Sequence, residues 1–307
     1  MNKNGTMQLQ KIIPKFLILT TIIISAVVSS LILTGCSAGF HYDNSDKYSI
    51  GNGTVIDIVK AIDISWLSGD LELDFNGNPS DGIVFSETSN KELNDNLKLH
   101  YWLDGTTLRL KYAASGKINF NGITKKLKVT VPSDVTLTEL KIDSVSSNIK
   151  IDGARSDSVF TAAVSGNISA NDLRASEEVS LSSTSGNING SILTACKKLS
   201  ASSTSGSIAF STEARIRELL VETVSGNILL SNLNPAKKAV IDTVSGNVDL
   251  KFLDNSGFEL TLDTVSGDIH SDLNVFVSGS KYVYGTADSD FKVKTVSGDL
   301  KISRAPA

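Results

Sequence analysis

Residues able to carry chemistry recur along this 307-residue sequence at fixed intervals instead of gathering in one segment. A Ser opens a Ser-Gly-Asn/Asp/Ser corner at Ser165, Ser185, Ser205, Ser225, Ser245, Ser266 and Ser297. A serine nucleophile needs an oriented base within hydrogen-bond reach, and no base repeats beside these serines. His41, His100 and His270 are too scattered to suggest a triad or a metal cluster. Glu222, Asp242 and Asp263 form a more regular series, each three residues before a corner, where strand alternation turns the side chain outward. Stacked about 4.8 Å apart, such carboxylates repel by roughly 1 kcal/mol even at the dielectric of water, and the column could recruit Ca²⁺ or another hard cation. A solvated acidic face, partly offset by Lys294, is the plainer reading, so no metal and no cofactor are expected. Directly before the corner serines stand Val164, Thr184, Thr204, Val224, Val244, Val265 and Val296, a β-branched stripe beside the acidic column. Val224, Val244 and Val265 with Glu222, Asp242 and Asp263 are the candidate binding face, although branched residues also simply suit strands.

The elements that must position these residues follow from the spacing. Successive corner serines lie 20, 20, 20, 20, 21 and 31 residues apart, a degenerate copy, "SSNI", opens at Ser146, and an outlying "LSGDL" spans Leu67 to Leu71. A fixed period of this length marks short units that cannot bury their own apolar face and must lie on a neighbour. Aliphatic residues alternate six and four residues before each corner, as at Leu219 and Val221, and return three after it, as at Ile208, Ile228 and Val248. Each unit therefore reads as strand, corner, strand and a looser return carrying a Leu at Leu173, Leu193, Leu233 and Leu253. Glycine at the corner is expected to supply a conformation that a Cβ would penalise, followed by an Asn or Asp tolerant of left-handed backbone. Asn167, Asn187, Asn227 and Asn247 are expected to form an amide ladder interrupted at Ser207. The predicted fold is all-β, a single-domain β-solenoid with rungs of about 20 residues over 137–303, followed by a tail at 304–307.

Composition agrees. Hydrophobic residues make up 40%, charged residues 20% and aromatic residues only 6%, which suits stacked β-structure with tight turns. A net charge of −4 offers no basic footprint for nucleic acid, which is excluded as an expected partner. Upstream of the regular rungs, residues 55–136 read as an N-terminal β cap or as irregular, worn rungs closing one end of the stack. Asp104-Gly105 sits between alternating apolar runs, a strong hairpin signal, and "KLKVTVP" at 126–132 is a strand stopped by Pro132.

The start of the chain bears on location. Lys3, Lys11 and Lys15 precede a charge-free, mostly apolar run from Phe16 to Leu33 that ends in "LTGC". Residues 1–35 thus have the pattern of a secretory signal peptide. Leu-Thr-Gly-Cys resembles the bacterial lipobox, which implies lipid on Cys36 and attachment to the extracytoplasmic face of the cell membrane. An uncleaved transmembrane anchor is the alternative, because the run approaches the roughly 20 residues that span a bilayer. Residues 36–54 are polar without sustained period and read as a flexible tether. With Cys36 lipidated, Cys196 has no partner within the chain and is expected to be a small structural residue.

Taken together, "VPSDV" and "LKIDSVSSNIKI" followed by repeated "TVSGNI" resemble the bacterial putative-adhesin domain of unknown function, found on secreted or tethered envelope proteins. The resemblance covers about 55–303, implies a β-solenoid, and carries no catalytic set. Ser147 departs from it by replacing the corner glycine, as does the long interval before Ser297, where "FVSGS" at 276–280 suggests a broken rung or protruding loop. The function implied is a module binding a cell-wall polymer or another envelope protein. A structural or regulatory envelope-stress lipoprotein is the alternative, and a glycan-active enzyme is less favoured because these rungs are short and serine-rich.

Overall fold

The computed structural model describes residues 40–116, 122–253 and 257–306. The signal-peptide segment and Cys36 lie outside the described residues.

One rung explains the rest. The strand Glu218–Ser225 leads to a corner at Gly226-Asn227, the strand Ile228–Leu233 leaves it, and residues 234–237 return to the next rung. Alternation points Leu219, Val221 and Thr223 inward from the first arm, Ile228, Leu230 and Leu233 from the second, and Ala236 from the return; all seven are buried. Ile228 lies in register between Ile208 and Val248. Each such aliphatic side chain contributes about 1.5–3 kcal/mol on burial, but only because the rungs on either side cover it.

Two ladders result, one per arm. The first runs Ser49–Ile50, His100–Asp104, Thr107–Lys111, 61–66, 139–146, 155–165, 174–185, Lys198–Ser205, Glu218–Ser225, Lys238–Ser245, Asp290–Ser297, Phe258–Ser266, Lys281–Tyr284, Phe276–Ser278. The second runs Gly53–Val55, Ile83–Ser89, Lys125–Pro132, 69–77, 147–152, 168–173, Ile188–Ile192, Ile208–Thr212, Ile228–Leu233, Val248–Phe252, Leu300–Arg304, Ile269–Ser271. Pairing between successive rungs is parallel, giving ten parallel rungs among the described residues. The short outermost strands of both ends, except Ile269–Ser271, run antiparallel, and a short or reversed edge strand resists further pairing with other chains.

Four expectations change. "LSGDL" is no outlier: Ala61–Gly77 is a complete rung, its Ser68-Gly69-Asp70 corner in register with Ser146-Ser147-Asn148. Residues 40–54 are not a loose tether but pack on the cap. Phe40 bridges Gly116, the Tyr42 hydroxyl donates to Ala113 O at 3.0 Å, and Phe40, Tyr42, Tyr48 and Trp102 form a chain of ring contacts. Leu193 does not turn inward; it is 46% exposed, and Ile192 fills the site in register with Leu173. The reason is local, since left-handed Asp172 and Asn232 each insert one extra residue that swings Leu173 and Leu233 inward, and the 188–192 strand has no such residue.

Finally, the last rung is out of sequence order. Asp290–Arg304 inserts between the 238–252 rung and the 258–271 rung. A hairpin of Phe276–Ser278 and Lys281–Tyr284, turning at Gly279 (φ 61°), carries the chain back to make this possible. It accounts for the 31-residue interval, and "FVSGS" is its protruding tip.

Candidate binding face and corner ladder

The corner sets the geometry of every outward column. At Gly226 a Cβ would lie 2.2 Å from Gly206 O, and the same clash recurs at Gly186, Gly206, Gly246 and Gly298 against the corner glycine carbonyl of the neighbouring rung and at Gly166 against Ser147 O. Glycine is therefore demanded mainly by close approach of two backbones; positive φ adds to it only at some corners, such as Gly166 (123°). The following Asn residues adopt no left-handed conformation either. Their side chains instead accept from the backbone N–H of the next rung: Asn187 N to Asn167 Oδ1 at 2.9 Å, Ser207 N to Asn187 Oδ1 at 2.9 Å, Asn227 N to Ser207 Oγ at 3.2 Å, Asn247 N to Asn227 Oδ1 at 2.9 Å. Asp299 and Asp268 continue it. An oxygen acceptor is all the position requires, so Asn, Asp and Ser serve alike and Ser207 does not interrupt the ladder.

Beside the corner, on the outer face of the first arm, lie the predicted site residues. Register orders them Ser202, Glu222, Asp242, Lys294, Asp263, so Lys294 separates two carboxylates that chain order would have made neighbours. Exposure also departs from expectation. Glu222 is 2% and Asp242 7% exposed, and only Asp263 is open to solvent. The half-buried Leu220, Val224, Val240 and Val244 share their face in the same two rungs. Neither Glu222 carboxylate oxygen has a hydrogen-bond partner, nor has Asp242 Oδ1, whereas Asp242 Oδ2 lies 3.5 Å from Lys294 Nζ.

An ionised carboxylate in such a place loses hydration without replacement. Burial pushes the Glu222 carboxyl up to about 7, Asp242 raises it further and Lys294 opposes. Burial likewise raises Asp242, with Lys294 holding it down in part and Asp263 adding to the rise. The column is thus a buried, protonatable pair with one counter-cation, not a solvated acidic face. Among the described residues no group of three or more His, Cys, Asp or Glu is placed to hold a metal ion.

The valine stripe is contiguous in the order Val224, Val244, Val296, Val265. Val265 is 41% exposed and the others are half-buried, so the stripe is available at the surface. Val296, which its position before a corner already assigns to the stripe, is placed between Val244 and Val265 by the intercalated rung. Of the remaining candidates, His100 is buried with Nδ1 2.9 Å from Lys98 O, His41 and His270 are exposed and apart from it, and buried Cys196 has its thiol pushed up to about 11 by desolvation. A buried, protonated thiol is inert packing.

Ten stacked rungs, a corner glycine demanded by backbone approach and an acceptor ladder define a β-solenoid-like repeat domain. The chain belongs to the Toastrack DUF4097 family, whose model matches residues 59–303. No functionally curated protein matches the sequence. Among solved structures, a putative cell adhesion protein from Clostridium sporogenes is 11% identical with a TM-score of 0.30, over 84% of this chain and 100% of that one. A putative adhesin from Bacteroides fragilis is 16% identical with a TM-score of 0.38, over 83% and 97%. A putative lipid binding protein from Parabacteroides distasonis is 18% identical with a TM-score of 0.45, over 83% and 97%. Identity and superposition at this level do not bear on activity.

Proposed function

We propose that this chain is an envelope lipoprotein, anchored through lipid on Cys36 at the outer face of the cell membrane, whose solenoid binds a surface polymer or an envelope protein. The observation that carries this reading is the contiguous stripe Val224, Val244, Val296 and Val265, apolar and accessible across four rungs beside the Glu222–Asp242 pair. Repeat architecture makes extended binding surfaces because every rung adds the same small patch. The leader-like segment and "LTGC" support the location.

Crosslinking from intact cells followed by recovery of this protein tests the reading. Lysine at Val224, Val244 and Val296 is expected to abolish recovery of the partner while circular dichroism stays β-rich. Unchanged recovery by the folded triple variant would exclude this face. A protein that recovers no polymer and only one membrane protein through another surface would favour the structural or regulatory role.

A further inference from the structure

Among the described residues, half of the eight exposed large apolar side chains lie at one end of the stack, and two, Phe276 (72%) and Val277 (52%), lie at the other. Ile50 (47%), Ile56 (84%), Ile58 (75%) and Val84 (37%) all lie on the N-terminal cap. The two outermost strands, Ser49–Ile50 and Gly53–Val55, belong to this end, and Ile56 and Ile58 follow directly in the connection to the 61–77 rung. A cleft of about 420 Å³ opens beside them, lined among others by Val59, Pro79, Ile83, Pro132 and Val135. Ile56 and Ile58 pack on little of their own protein, yet Val55 and Val59 on either side are buried, so the segment holds both isoleucines out from a fixed backbone.

Where the chain enters the domain says what covers this end. Phe40 is docked against Gly116 at the same N-terminal cap, through Tyr42, Tyr48 and Trp102. Only Ser37, Ala38 and Gly39 separate Cys36 from Phe40, a reach of at most about 14 Å. Lipid on Cys36 would therefore hold this end of the stack against the bilayer, with no long tether to let it turn away. The opposite end, where Phe276 and Val277 are exposed, stands nine rung intervals off, roughly 43 Å at 4.8 Å each. Asp57, Asp134 and Lys60 line the same cleft, two carboxylates against one ammonium, so nothing there selects anionic headgroups and the contact rests on the isoleucines.

We propose that the N-terminal cap is a membrane-contact surface: Ile56 and Ile58, with Ile50, insert into the outer leaflet of the bilayer that holds Cys36, and stand the solenoid up from it. This rests on the reading of Cys36 as the lipid anchor. The two acyl chains of a diacylglycerol on Cys36 hold the chain at the bilayer but do not fix its orientation; a side-chain pair this exposed supplies the second contact that does.

Full-length lipoprotein reconstituted into phosphatidylethanolamine–phosphatidylglycerol vesicles gives the test. Ile58→Cys and, as the far-end control, Val277→Cys are labelled with an environment-sensitive fluorophore; buried Cys196 stays unlabelled. Doxyl-labelled lipid is expected to quench the probe at 58 at least threefold more than the probe at 277. Equal, weak quenching at both positions with Cys36 shown by mass spectrometry to carry lipid would overturn the contact surface and leave the anchor standing. Strong quenching at 58 with Cys36 unmodified would support the contact surface and remove the anchor. Concentration-dependent self-quenching at 58 without doxyl quenching would give this surface to a second copy of the chain and overturn the proposal.

Discussion

Asp242 lies in register with Lys294, 52 residues further along the chain, and not with Asp263, 21 residues on. Had the rungs stacked in chain order, Glu222, Asp242 and Asp263 would have stood in one line with no cation among them. The intercalated rung places an ammonium 3.5 Å from Asp242 Oδ2 and moves Asp263 to the solvent side of it. Removing that ammonium with Lys294→Ala is expected to cost about 2 kcal/mol, between the values for exposed and buried pairs. Chemical denaturation measures it. A loss under a few tenths of a kcal/mol would mean that Lys294 is solvated and Asp242 is neutral without it.

Glu222 makes stability depend on pH in an uncommon direction for a carboxylate. Folded Glu222 takes up its proton near pH 7, against 4.5 for the free group, so between those values the folded state binds more protons than the unfolded one. Its contribution therefore improves as pH falls from about 7 to 4.5 and is least favourable above 7. Asp242, raised as well, adds in the same sense. Glu222→Gln removes the charge, and is expected to stabilise the protein at pH 8 by roughly 1–2 kcal/mol and to flatten the change between pH 8 and 6. Thermal melts at a series of pH values decide it, and a wild-type midpoint that fell steadily from pH 8 to 6 would contradict the assignment.

Backbone approach, rather than φ alone, is expected to set the cost of filling the corner. Gly226→Ala puts a methyl 2.2 Å from Gly206 O and should cost about 3 kcal/mol or more. Gly105, in the 100–111 hairpin at φ 61° with open space around it, should cost only about 1–2 kcal/mol on the same substitution. Comparable losses for both in urea denaturation would argue against the close stacking of corners.

The acceptor ladder and the core separate cleanly by mutation. Asn227→Ala removes the acceptor for Asn247 N and should cost about 1 kcal/mol, and Asn227→Ser, which keeps an oxygen there as Ser207 does, should restore most of it. Ile228→Asp, an unpaired charge between Ile208 and Val248, should cost several kcal/mol and prevent folding in a weakly stable background. Equal effects of the three substitutions on the denaturation midpoint would contradict this register.

Anchoring is tested on its own by Cys36→Ala, which is expected to leave a longer, unprocessed precursor by mass spectrometry. A wild-type protein retaining its leader would favour the transmembrane alternative.

Much of this architecture is legible in the sequence because it is local. A 20-residue period, an aliphatic residue three after each corner and the Asp104-Gly105 turn depend only on strand alternation and on turns closed within a few residues, so Ile208, Ile228 and Val248 could be placed inside and in register without coordinates. What only the tertiary structure decided is non-local. Two rungs with the same inward pattern offer each other nearly the same apolar contacts whichever is earlier in the chain, so periodicity cannot say that Asp290–Arg304 lies between 238–252 and 258–271. Nor can it say that outward-facing Glu222 and Asp242 are buried, because burial depends on residues brought beside them from other rungs. The sequence by itself determined the rung; the order of the stack, and with it the partner of Asp242, the place of Val296 and the docking of Phe40 on the cap, was decided by which surfaces met across tens of residues, where each rung's unsatisfied backbone and apolar face had more than one neighbour to choose from.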